Sequence, residues 1–88
     1  MKPREGIISS SMGDEFVLVP VGDAAKDIHG IVRLNDTGSF IWKGIEQGLD
    51  EQEIARRLTQ EYQGVDLDGA LAAVRDLVRR LRDAKLVE

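Results

Sequence analysis

The feature that most limits what this chain can fold into is a change of apolar period inside Gly30–Trp42. Before that stretch apolar residues follow strand-like patterns, and after it they recur every three to four residues, as on a helix with one buried face. Ile31, Val32 and Leu34 form a short β-branched-rich run. Asn35 follows as a helix N-cap, since its side-chain oxygen can accept from an unpaired N–H of the first turn. Thr37, Phe40, Ile41, Gly44 and Ile45 then lay an apolar stripe along the helix. A strand therefore feeds directly into a helix, and the strand half is the expected working surface.

The elements on either side fit an α+β domain. Ile7 and Ile8 open a first strand running to Met12, and Gly13-Asp14 reads as a two-residue hairpin turn. Phe16–Val21 is the second strand, with Pro20 marking its end or an edge. Residues 22–27 form a loop with room for one helical turn, and His29–Leu34 is the third strand. Met1–Glu5 is expected to fray.

Three long helices complete the chain. Gly48 suits the position just past the end of the first. Asp50 and Glu53 have capping-box spacing, with Leu49 and Ile54 placed as a hydrophobic staple around it. Ile54, Ala55, Leu58 and Tyr62 form the buried stripe of the second, which Gly64 stops. The third runs from Asp66 or Asp68 to about Ala84. Leu67, Leu71, Val74, Val78 and Leu81 line it at alternating spacings of four and three, widened by Ala70 and Leu77. Arg75, Arg79 and Arg82 form a basic margin beside Leu71 and Val78, while Arg80 points away from them.

Composition narrows the function. With 88 residues the chain is expected to be one domain, 1–88. It has no cysteine, which removes disulfides, thiolate metal sites and cysteine nucleophiles. No apolar run approaches a membrane span, and the cytoplasm is the expected location. The single histidine, His29, has no partner at metal-ligand spacing, and the nine glycines form no phosphate loop. No metal, cofactor or catalytic residue is expected, and a binding module is favoured over an enzyme. The net charge is −4, yet residues 69–88 carry five cations against three carboxylates, leaving −6 on the rest. Such a helix suits an anionic partner or a solvated face.

Small sheets followed by helices also occur in winged helix-turn-helix proteins, so a DNA-binding regulator is the alternative reading. A sequence pI of about 4.9 argues against it, because phosphate attraction supplies much of the affinity for nucleic acid.

Val17-Leu18-Val19-Pro20, the run Gly30–Trp42 with its L-N-x-T-G-x-x-x-W core, Asp50–Leu58, Glu61-Tyr62 and Val74–Val87 together resemble the PqqD family. Its fold is also called a RiPP recognition element, after the ribosomally made, modified peptides it serves. The resemblance spans nearly the whole chain and implies three antiparallel strands followed by three helices, winged helix-turn-helix-like. It implies a non-catalytic peptide chaperone that binds the leader segment of a precursor peptide and presents it to a modifying enzyme, often a radical SAM maturase. A monomer or weak dimer is expected.

The resemblance further implies that the leader adds a strand to the third strand and lies against the third helix. The expected peptide-binding residues are therefore His29, Gly30, Ile31, Val32 and Arg33, with Leu71, Val74, Arg75, Val78, Arg79 and Arg82. The apolar members would form a floor and the arginines would hold acidic leader residues. Part of the apolar group must instead face the core, and the pattern alone does not divide it. Ile7–Ser11 lacks the arginine and aspartate that mark the first hairpin of members serving pyrroloquinoline quinone synthesis. Another peptide pathway is favoured.

Overall fold

A computed structural model describes residues 1–88. Strands β1 (Ile7–Met12) and β2 (Glu15–Pro20) form a hairpin, and α1 (Ala24–Asp27) is the single turn between it and β3 (Val32–Leu34). Helices α2 (Asp36–Glu46), α3 (Glu51–Glu61) and α4 (Leu67–Asp83) follow. The sheet is antiparallel with order β1-β2-β3, so β1 and β3 are its two edges. Gly13 takes φ +61° at the first turn position, where a side chain would be strained.

Strand alternation decides which way the sheet faces. Phe16 and Leu18 point into the core and pair with Leu34 and Val32 of β3. Val17 lies on the opposite face between Ser10 and Arg33, and is only 4% exposed. The core gathers these strand residues with Ile41, Trp42 and Ile45 of α2, Ile54, Ala55 and Leu58 of α3, and Ala70, Val74, Val78 and Leu81 of α4. Trp42 is fully buried, and its indole N–H has no hydrogen-bond partner.

Each long helix starts at a capped residue. Asn35, Asp50 and Asp66 accept from the backbone N–H of Gly38, Glu53 and Gly69, each three residues on. Only half of the expected capping box forms at Asp50. The Glu53 carboxylate is drawn instead to Arg56 and Arg57, whose hydrogen bonds lower its pKa from 4.5 to about 2. Gly48 sits at φ +80° just past α2. A Cβ at Gly44 would come within 2.8 Å of Ile54, so the α2–α3 approach depends on that missing side chain.

The N-terminus does not fray as expected. Arg4 N–H donates to Leu86 O, Glu88 N–H donates to Lys2 O, and Pro3 bridges Val87. The Arg4 guanidinium also holds the Asp27 carboxyl below its usual pKa. What brings the C-terminal residues back to the N-terminus is a Schellman turn ending α4. Leu86 N–H donates to Leu81 O and Lys85 N–H to Arg82 O, with Lys85 at φ +65° and both leucines buried.

Candidate functional site

Two residues of β3 bond to β2, and one faces outward. The closing pair of a two-residue hairpin, Met12 and Glu15, exchanges both main-chain bonds, and such pairs alternate along the ladder. Ser10 and Ile8 therefore bond to β2, while Phe16 and Leu18 turn their N–H and C=O groups toward β3. Val32 and Leu34 receive those bonds. The N–H and C=O of Arg33 consequently point away from the sheet along its open edge.

The strand is shorter than the sequence suggests. His29, Gly30 and Ile31 lie outside β3, in an exposed segment after α1. Continuing the ladder would set residue 30 opposite Pro20, which has no N–H to donate, and Gly30 turns the chain at φ +84°. Ile31 is nonetheless 49% exposed, and its N–H makes no backbone hydrogen bond. The open edge thus offers the main chain of Ile31 and Arg33.

Beside this edge runs a groove of about 260 Å³, lined by Arg33, Leu34, Asn35, Thr37, Gly38, Ile41, Ala73, Leu77 and Arg80. Its near wall is the β3–α2 junction and its far wall is α4. A hollow of about 330 Å³ lies between α2 and α3 at Phe40, Lys43, Leu49 and Arg57, but no strand residue lines it.

Helix α4 meets the groove with a different side from the one expected. Val74 and Val78 are buried to 0% and 1% exposure in the core, so neither side chain is free to floor a cleft. Leu71 is half-buried and faces the start of α3 beside Leu67, Gln52 and Arg56. Arg82 borders Gly48, Leu49 and Asp50, again toward α3. Arg75 and Arg79 are exposed outside the groove, Arg79 donating to Asp76 at 2.6 Å. At about 100° per residue, Arg75 and Arg82 stand roughly opposite Ala73 and Leu77.

Of the expected site residues, only Arg33 lines the groove, with Ile31 and Val32 adjoining it. Leu34, Ala73, Leu77 and Arg80 were missed. For the three on α4 the signal was that helix's asymmetry, since Leu77 widens the apolar stripe on one side, next to Ala73, and arginines edge it on the other. Arg80, pointing away from those arginines, belongs to the aliphatic side.

The sequence profile described as "Coenzyme PQQ synthesis protein D (PqqD)" matches residues 15–87. The chain belongs to the PqqD family. Among solved structures it is similar to TbiB1 in complex with the TbiA(beta) leader peptide, with 30% identity and a TM-score of 0.83 over 100% of this chain and 95% of that one. It also shares its fold with a lasso peptide synthetase B1 complexed with the leader peptide, at 23% identity and a TM-score of 0.82, covering 99% and 95% of the two chains. No curated protein matches it. This PqqD-family chain has no helix long and apolar enough to cross a membrane.

Proposed function

We propose that the chain is a RiPP recognition element, a non-catalytic domain that binds the leader segment of a precursor peptide and presents it to a modifying enzyme. In this reading the leader lies antiparallel or parallel along β3 as a fourth strand, bonding to the main chain of Arg33 and Ile31. Alternate leader side chains enter the groove and meet Leu34, Ile41, Ala73 and Leu77. Membership of the PqqD family supports it, as does 30% identity across the whole chain to a protein solved with a leader peptide. The observation that carries it is the outward main chain of Arg33 directly beside a groove.

An open edge strand invites unwanted pairing, and proteins usually blunt it. Here the edge is three residues long and carries one charged side chain, which limits self-association while leaving room for a partner. The modifying enzyme we favour is a radical SAM maturase, in a peptide pathway other than that of the quinone, given the unmarked first hairpin.

Proline scanning tests the edge. Peptides enriched from a displayed random library on the wild-type chain serve as ligands in calorimetric titration. Ile31→Pro removes an outward N–H and should abolish binding while circular dichroism stays native. A folded Ile31→Pro variant that binds those peptides like the parent would disprove strand addition at this edge.

A further inference from the structure

Grooves on this molecule differ in charge. The four other principal hollows each have at least one carboxylate in the wall: Glu61, Asp50 with Glu53, Asp50 with Glu51, and Asp14 with Glu15 and Asp36. The groove beside β3 has none, and two of its nine lining residues are arginines. On a chain of net charge −4, this is the one of these five hollows whose charged lining residues are all cations.

The two arginines also have capacity to spare. Arg80 and Arg79 share a single carboxylate, Asp76, at 3.0 Å and 2.6 Å, so one guanidinium charge at that rim is uncompensated. Across the groove Arg33 stands 3.5 Å from Glu15 in an exposed ion pair that makes no hydrogen bond between them. The arginines flank an aliphatic patch of Leu34, Ile41, Ala73 and Leu77.

We propose that the groove selects peptides by a carboxylate as well as by shape: leaders with an aliphatic residue over Ala73 and Leu77 and an Asp or Glu two positions away, held by Arg80. This rests on the strand-addition reading, in which groove-facing residues recur every second position. Arg80 supplies a planar fork that matches a carboxylate in two hydrogen bonds. Arg33 stands on the outer face of the sheet, where it attracts a second acidic residue at the cross-strand position.

The experiment pans one random peptide library on the wild-type chain, on Arg80→Glu, and on Arg75→Glu as a control on the opposite side of α4. Wild-type selections should be enriched in Asp or Glu two positions from an aliphatic residue. Arg80→Glu should bind those peptides about tenfold more weakly and should enrich Lys or Arg at that position. Arg80→Gln, a milder change at an exposed site, should lose about threefold, and Arg75→Glu should lose nothing.

Selections with no acidic preference, or unchanged affinity in Arg80→Glu, would overturn charge selection. If those peptides are still lost on Ile31→Pro, strand addition survives that failure. If a folded Ile31→Pro binds them normally, or if the library yields no binder, strand addition fails and charge selection falls with it.

Discussion

The two edges of the sheet differ in length, in main-chain exposure and in what stands beside them. Strand β1 offers six residues, Ile7–Met12, with the main chain of Ser9 and Ser11 outward and with Ile8 and Met12 53% and 67% exposed. Strand β3 offers three, Val32–Leu34, but has α4 across a groove and Arg33 turned outward. A longer edge gives more backbone to pair with. A shorter edge beside a groove adds side-chain selection to a smaller number of main-chain bonds, and specificity resides in those side chains. If β3 is the recognition edge, as proposed, the contrast teaches that strand length alone does not locate one.

Proline placement gives the largest effects that can break this contrast. Ser10→Pro and Val32→Pro each delete an inward ladder bond and should cost about 3 kcal/mol of stability, read by denaturant unfolding. Ser9→Pro, outward on β1, should fold and bind library-selected peptides like the parent. Loss of binding in a folded Ser9→Pro chain would move the recognition edge to β1.

Two neighbouring residues of α4 provide a smaller but sharper separation. Val78→Ala should cost about 2 kcal/mol of stability, from lost methyl burial and the space left behind, with peptide affinity unchanged. Leu77→Ala should cost about 1 kcal/mol of stability and weaken peptide binding about tenfold. Equal effects on binding would mean that the groove wall next to β3 plays no special part.

Acid provides the mildest test, read through a single ion-pair cluster on the helical layer. The Glu53 pKa is depressed in the folded chain by Arg56 and Arg57, so its contribution is fully present above 4.5 and is lost as pH falls through about 2. Thermal melts of wild type should therefore decline more steeply than those of Glu53→Gln between those values. As the pair is exposed, the difference should be small. Identical pH profiles would show that the arginine bonds contribute nothing to stability.

Most of the fold was legible in the residues themselves. Asn35, Asp50 and Asp66 cap helices, Gly13 and Gly48 take positive φ, and Ile41 and Ile45 are in the core, because capping, turn geometry and burial act over a few residues or one helical face. The local signals failed where a partner several elements away decides. Nothing in Met1–Glu5 shows that Leu86 will accept its hydrogen bond, since that contact awaits the turn at Lys85.

The site was legible in outline only. A β-branched-rich run marked His29–Leu34 as the third strand, longer than the Val32–Leu34 that forms, and family resemblance pointed to that strand and the last helix. Two facts needed the assembled sheet and bundle. Proline at position 20 limits β3 only once the hairpin register sets Pro20 opposite residue 30, which leaves His29 and Gly30 outside the strand. The heptad of α4 makes both flanks of its stripe equally available, and packing alone chooses. Because α3 takes the flank with Leu71 and Arg82, β3 is left with Ala73, Leu77 and Arg80. A one-dimensional period defines an apolar face and its borders, but which neighbour occupies each border is a property of three-dimensional packing.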